Sequence, residues 1–370
     1  MKIAYLVGGL PFGGIEKWLF DLALAYRANG LVTPRVFNLS GTGQMLPDYM
    51  AAGIDVRCVG SGIRSIASHR LDTSLRLRAM LREFAPDIIH TVHFSANHLG
   101  RIASLGLGIP VITHLRNTKH EKRLHRRLSD KLLSYATTLY LAVSQAVAEV
   151  VATDHNMAGR PVRVLYNAID AGRFDVPPLD LRAAFGLTGP VVIAVGRYVQ
   201  QKNFDLLIRA IRLVRDAGVP ASLALVGEGV ERPRLEALRD ELGLRDHVAL
   251  TGFRPDVAAF YKAADVFAMP SRFEGFLIAQ LEAMYCGLPC VVSRHVPMLE
   301  LAGEASLVCE TEPADIADKL LAILRDEALR SRLSEAARRL SAPHTMDRYA
   351  VTLHSIYADL LAGRIPRPSR

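Results

Sequence analysis

The sequence predicts an α/β protein built as two parallel-sheet units, and three observations point there. At 370 residues the chain is longer than one hydrophobic core usually supports. Short apolar, β-branched runs alternate along it with amphipathic stretches, the pattern of parallel strands joined by crossover helices. A stretch rich in Pro and Gly, 171–189, then parts two such series and reads as a linker. Half of all residues are apolar, ample for two cores.

In the first series KIAYLV (2–7) is a strand, followed by a turn holding Gly8, Gly9, Gly13 and Gly14 and a helix over 15–30. Glycines packed so densely before a helix bring backbone N–H groups within reach of a phosphate. Their spacing is not GxGxxG, which argues against a nicotinamide dinucleotide site. TPRVFNLS (33–40) and IDVRCVG (54–60) read as strands, with QMLPDYMAAG (44–53) helical between them. SLRLRAMLREFA (74–85) is a helix stopped before Pro86. PDIIHTVH (86–93) is a buried strand carrying His90 and His93 towards its C-terminal end, where open α/β sheets meet ligands. PVITHLRN (110–117) repeats the pattern and ends in His114, Arg116 and Asn117. TLYLAVSQAVAEVV (138–151) is a strand, Ser144 as N-cap, then a helix, and VRVLYNAID (162–170) closes the series.

The second series opens with PVVIAVGRYVQQKNFDLLIRAIRLV (190–214), a strand ending at Gly196 and Arg197, with Lys202 just before a helix. Cationic side chains at a loop-to-helix step suit a diphosphate, whose charge they neutralise. ASLALVGEG (221–229), HVALTGF (247–253), VAAFYKAADVFAMPS (257–271) and LPCVVS (288–293) continue it. Residues 313–341 read as mostly helical, and 345–363 as a last helix.

SRFEGFLIAQLEAMYCGLPC (271–290) holds Glu274 and Glu282 in largely apolar surroundings. Were both on one helix, their spacing would set them about 80° apart around it and about 12 Å apart along it. With Glu274 in the loop before the helix, Glu282 is expected about two turns down on nearly the same side. A carboxylate in such company needs a partner or a ligand. Gly275, Phe276 and Leu277 offer backbone N–H groups at a helix N-terminus between the two acids, a place suited to phosphate.

Charge is unevenly placed. Residues 1–175 carry 21 Lys/Arg against 13 Asp/Glu, whereas 176–370 carry 24 of each, so the net +8 lies in the first half. It is densest in Lys119–Lys131, KHEKRLHRRLSDK, which suits an anionic membrane surface better than nucleic acid, since no aromatic-interleaved or zinc motif goes with it. No run is long and apolar enough for a transmembrane helix, and the N-terminus reads as a strand rather than a signal peptide. Cys58, Cys286, Cys290 and Cys309 show no metal-binding spacing and fit a reduced cytosol. The expected location is therefore cytoplasmic, with peripheral attachment to the inner membrane face as an option.

Gly13 and Gly14, IIHTVH, VLYNAID, GRYVQQK, LVGEG, LTGF and ADVFAMPSRFEGFLIAQLEAMYCGLPCVVS stand in an order that resembles glycosyltransferase family 4, retaining enzymes of the GT-B fold. The resemblance covers nearly the whole chain. It implies two Rossmann-like domains facing across a cleft: 1–171 for the acceptor, joined by the tail from about 345, and 172–344 for the sugar nucleotide. It makes Arg197 and Lys202 the cations for the leaving diphosphate and Glu282 the ribose ligand. Glu274 and His93 become the catalytic groups beside the donor sugar. Gly13, Gly14, Phe253, Arg254, Gly275, Phe276 and Leu277 become donor contacts, largely through their backbone, and His114, Arg116 and Asn117 candidate acceptor contacts.

No metal or other cofactor is implied, the nucleotide sugar being a substrate. UDP-linked donors are favoured, with GDP-mannose as the alternative. The acceptor is expected to be a glycan or a lipid-linked hydroxyl of cell-surface polysaccharide or lipopolysaccharide synthesis. A soluble synthase of small glycosides, a non-catalytic sugar-nucleotide sensor and a sheet-based dehydrogenase are the rival readings. Two positions depart from the resemblance: Leu277 and Asn203 stand where the family often has Gly.

Overall fold

The computed structural model describes residues 1–66, 71–118 and 124–365, the side chains of 71 and 124–126 apart. The chain divides into two compact units, residues 1–168 with 344–370 and residues 169–343.

The first unit is laid out as β1 (Lys2–Val7), α1 (Gly14–Asn29), β2 (Thr33–Asn38), α2 (Leu46–Ala51), β3 (Val56–Cys58), α3 (Leu71–Phe84), β4 (Ile88–Val92), α4 (Phe94–Ser104), β5 (Val111–Leu115), α5 (Leu124–Leu133), β6 (Leu139–Ala142), α6 (Gln145–Val150) and β7 (Val162–Val164). Its seven strands are ordered β3-β2-β1-β4-β5-β6-β7, and every pairing is parallel. A parallel sheet is covered on both faces, so its central strands β1, β4 and β6 are almost wholly buried. In β1 the alternation is visible: Ile3, Tyr5 and Val7 enter one core with α1, while Ala4 and Leu6 enter the other with Leu77, Leu81 and Leu99. Ser144 caps α6 by accepting from the Val147 amide at 3.2 Å.

The second unit runs α7 (Leu181–Phe185), β8 (Val191–Val195), α8 (Phe204–Asp216), β9 (Ser222–Val226), α9 (Arg232–Glu241), β10 (Val248–Leu250), α10 (Val257–Ala263), β11 (Val266–Met269), α11 (Ile278–Tyr285), β12 (Cys290–Ser293), α12 (Leu299–Ala302), β13 (Ser306–Cys309), α13 (Pro313–Arg325) and α14 (Glu327–Ser341). Its six strands are ordered β10-β9-β8-β11-β12-β13, again parallel. On α8 the buried positions Phe204, Leu207, Ile208, Ile211 and Val214 form one stripe at helical spacing.

The last helix, α15 (Met346–Leu361), belongs to the first unit. Leu353 and Tyr357 lie in the same core as Tyr5 and Trp18. The Tyr357 hydroxyl lies 2.8 Å from that of Tyr5 and 2.6 Å from His90 Nδ1.

Three sequence readings need correction. The 171–189 stretch is not a loose linker: Asp180 caps α7 through the Arg182 and Ala183 amides, Phe174 packs on Tyr285, and Leu181 and Leu187 are buried. Its few apolar residues are enough to seat it on the second unit. The sequence reading passed over α9, which starts with Pro at its first turn and buries only Leu235 and Leu238. It also missed β13, a four-residue edge strand too short to show alternation. Among the described residues no helix is long and apolar enough to cross a membrane.

Candidate active site

Both sheets reverse their winding order between two neighbouring strands, at β1/β4 and at β8/β11. Open α/β sheets bind ligands beyond the C-terminal ends of the strands at such a switch point, because the flanking loops diverge to opposite faces and leave a crevice. The chemistry-bearing residues of each unit gather there.

In the second unit the loop after β8 carries Arg197, Lys202 and Asn203, and the loop after β11 carries Glu274. Lys202 Nζ donates to Glu274 Oε1 at 2.7 Å, with side chains only 13% and 10% exposed. The two loops are stitched by further bonds: Gln201 Nε2 to the Phe273 carbonyl at 2.9 Å, and Asn203 Nδ2 to the Pro270 carbonyl at 2.9 Å. Arg272 Nε donates to Asn203 Oδ1 at 2.7 Å. Arg197 is exposed, and among the described residues it makes no ion pair. Gly227, of the LVGEG segment, has φ +144°, and a Cβ there would stand 2.0 Å from the Gly196 carbonyl oxygen. The β8 and β9 loops therefore run closer than any side chain permits.

Glu282 lies on α11, four residues past its first, Ile278. It is therefore about one turn down that helix, not two, since Glu274 is in the preceding loop. Tyr261, which the sequence reading missed, donates to Glu282 Oε2 at 3.1 Å. Burial and the carboxylate together push the Tyr261 hydroxyl well up, so it remains a donor. Phe276 and Leu277 are buried and Gly275 lies with them at the start of α11. At the far end of the sheet Phe253 is exposed, while Arg254 is committed to Asp256 at 2.9 Å.

Both departures from the resemblance coincide with left-handed backbone. Asn203 has φ +52° and Leu277 φ +66°. Asn is tolerated there, but a Leu costs about 1–2 kcal/mol relative to Gly, and burial of its side chain offsets the cost. Asn203→Ala should be about 1 kcal/mol less stable than Asn203→Gly, because both lose the same two side-chain bonds and only Ala meets the left-handed penalty. Urea unfolding of the two variants side by side checks this; equal midpoints would remove the strain argument.

In the first unit His93 follows β4 directly, with φ +82° and ψ 153°, a region almost reserved for Gly. Its Nε2 lies 3.3 Å from Glu16 Oε1, and Glu16 is 4% exposed. Glu16 is the second residue the sequence reading missed; its only signal was an acid in the first turn of α1. It also explains Gly13, where a Cβ would stand 2.4 Å from Glu16 Oε2. Gly14 is the first residue of α1. Arg116 lies with its guanidinium 4.2 Å from the Trp18 ring centroid, and its Nη2 donates to Asn167 Oδ1 of the VLYNAID segment.

Two expectations fail here. His114 is wholly buried, edge-on to Trp18, with Nδ1 3.2 Å from His90 Nε2, so it presents nothing to an acceptor. His90 is mid-strand core, not a strand-end group. Arg116 is half-buried and Asn117 exposed, so only these two of the acceptor trio reach the surface. The basic run 119–131 lies partly outside the described residues: nothing is placed for 119–123.

Burial and the Arg116 charge lower the His93 imidazole to about 4 and His90 to about 3, and push His114 down as well. All three are neutral in the fold at pH 7, whereas the unfolded chain takes up protons below its ordinary value of 6.5. Stability is therefore full above that value and falls as pH drops towards 4. The urea midpoint should be lower at pH 5 than at pH 7 and flat above pH 7; a midpoint unchanged between 7 and 5 contradicts the assignment.

Residues 12–173 match the family described as Glycosyltransferase Family 4, and residues 181–340 match Glycosyl transferases group 1. D-inositol 3-phosphate glycosyltransferase of Salinispora arenicola is 30% identical, over 96% of this chain and 89% of that protein. The chain is a family 4, group 1 glycosyltransferase. A second relative of this enzyme family, the lipopolysaccharide core biosynthesis glycosyltransferase LpsD of Rhizobium meliloti, is 30% identical over 90% of this chain and 91% of that one. The fold is that of the GT-B glycosyltransferases. The crystal structure of Anabaena HepE in complex with UDP-glucose aligns with a TM-score of 0.83 at 23% identity, covering 98% of this chain and 100% of that one.

Proposed function

We propose that this glycosyltransferase moves a sugar, with retention, from a UDP-linked donor to a hydroxyl of a glycan or lipid-linked acceptor in cell-surface polysaccharide or lipopolysaccharide synthesis. The carrying observation is the Lys202–Glu274 pair at the β8/β11 switch point, beside the exposed Arg197. Lys202 and Arg197 neutralise the departing diphosphate, and the N-terminus of α11 contributes backbone donors to the same charge. Glu282, steadied by Tyr261, takes the ribose hydroxyls. Phe253 and the backbone around Arg254 meet the base.

Glu274 orients the donor sugar and stabilises positive charge at its reacting carbon as the bond to the diphosphate breaks. The acceptor oxygen attacks from the same face, and its proton goes to the leaving phosphate oxygen, so no protein base is required. On the first unit His93, held neutral, offers a ring N–H or lone pair to sugar hydroxyls. Gly13 and Gly14 supply backbone close to the diphosphate, and Arg116 and Asn117 meet the acceptor. The relative LpsD, named for lipopolysaccharide core synthesis, and HepE, solved with UDP-glucose, support the pathway and donor readings.

Thermal shift with UDP, UDP-glucose, GDP and GDP-mannose tests the donor, since a ligand that binds the folded state raises Tm by mass action. A shift with UDP species is expected; a shift with GDP species alone overturns the UDP assignment. NMR of the product's anomeric centre tests retention.

A further inference from the structure

We propose that the first unit binds the acidic group of a charged acceptor, a carboxylate or phosphate, on Arg116, with Trp18 Nε1 and the Tyr349 hydroxyl as its further donors. The three come from separate elements of one unit: Trp18 from α1, Arg116 from the loop directly after β5, and Tyr349 from α15. The Arg116 guanidinium lies 4.2 Å from the Trp18 ring centroid, and the Trp18 and Tyr349 rings stand edge to face at 5.9 Å. Trp18 is 2% and Tyr349 4% exposed. Yet Trp18 Nε1, Arg116 Nη1 and the Tyr349 hydroxyl are all buried without a hydrogen-bond partner. A buried polar group left in that state is costly unless something meets it.

The partner that completes them is a hydrogen-bond acceptor. An indole N–H and a guanidinium only donate, so neither satisfies the other. The Tyr349 hydroxyl faces both, and burial holds its proton in place, so it too has one to give. Charge makes the same demand. Arg116 gives Nη2 to the neutral Asn167 Oδ1, and among the described residues it makes no ion pair. Burial lowers its guanidinium only to about 10, so it is charged at pH 7. Glu16 favours that charge through space, but its carboxylate lies against His93. Arg101, the other buried cation of this unit, has a carboxylate of its own in Asp130. A guanidinium fork beside two further donors matches the paired oxygens of a carboxylate or phosphate. Position ties that anion to the acceptor. β5 is the neighbour of β4, His93 follows β4, and the Arg116 charge is felt at its imidazole. Arg116 is half-buried and so reaches the surface.

The inference rests on the reading of Arg116 as an acceptor contact and gives that acceptor its charge. Thermal-shift titrations of the full chain, with and without UDP, compare D-glucose, D-glucuronate, D-glucose 6-phosphate and inorganic phosphate. At least one acidic sugar should raise Tm to a plateau, and glucose at the same concentrations should not. Arg116→Met, which keeps an unbranched stem against Trp18, should weaken that sugar about tenfold or more. Tyr349→Phe separates binding from structure. It should weaken the same sugar several-fold while the ligand-free Tm stays or rises, because an unpaired buried hydroxyl is removed. The UDP-induced shift should be the same in both variants. No shift with either acidic sugar, glucose acting as well as they do, or variants that bind like wild type overturns the proposal. So does a lower ligand-free Tm for Tyr349→Phe, which makes the hydroxyl structural, or inorganic phosphate as effective as the phosphorylated sugar, which leaves only a free-anion site. Acidic-sugar shifts without any UDP shift would sink the donor reading and leave this site standing.

Discussion

Glu274→Gln is expected to lower kcat by about 10²–10³-fold, as removal of a group aimed at developing charge generally does. The residue is 8% exposed and its Oε1 accepts from Lys202 at 2.7 Å. The amide keeps the volume and an acceptor but discards the charge that would face the reacting carbon. It also releases Lys202 from its counter-ion, so the diphosphate should bind no more weakly. The signature is therefore a fall in kcat with KM for the donor unchanged or lower. Lys202→Met should instead raise KM and lower kcat together, because the diphosphate loses a cation in ground and transition states alike. Initial rates of nucleotide release, with circular dichroism as a check on folding, decide the matter. A Glu274→Gln variant within about threefold of wild type would falsify the role given to this side chain.

The largest effect on stability should come from Arg101→Leu. The guanidinium is 1% exposed, and burial lowers it to about 10. It donates to both Asp130 Oδ1 and the Asn97 carbonyl. Removing one partner of a buried ion pair leaves the other charge without solvent or counter-ion, which costs about 3–5 kcal/mol. Asp130 keeps its contact with His155, so the lower part of that range applies. Denaturant unfolding followed by a probe in the first unit measures the loss. A change below about 1 kcal/mol would show that the pair adds nothing net. Adding Asp130→Leu to the variant should recover part of the loss, because the orphaned carboxylate is then gone.

Much of this enzyme was legible residue by residue. The apolar runs and their turn glycines marked most of the strands, since a strand buried on both faces must be apolar whatever it packs on. Glu274 and Glu282 were visible because a carboxylate in an apolar stretch demands an explanation. Asn203 and Leu277 were visible only as departures from a resemblance, and their left-handed backbone gives the physical content of that observation. Glu16 and Tyr261 were not legible: nothing local separates a first-turn Glu on α1 from a solvated one, and a Tyr in VAAFYKAAD reads as core.

The sequence by itself determined the two-unit α/β architecture, the cations of the second unit and the basic bias of the first, because composition, period and charge are properties of the chain. Only the tertiary structure decided which polar residues meet. It withdrew His114 from any surface by closing Trp18 and His90 around it. It joined Lys202 to Glu274 across 72 positions and Glu16 to His93 across the β1/β4 switch. It also turned α5 so that Asp130 faces in while Leu128 and Leu132 face out. Such pairings depend on strand order, which brings distant loops together at the C-terminal ends of central strands and leaves no trace in local sequence.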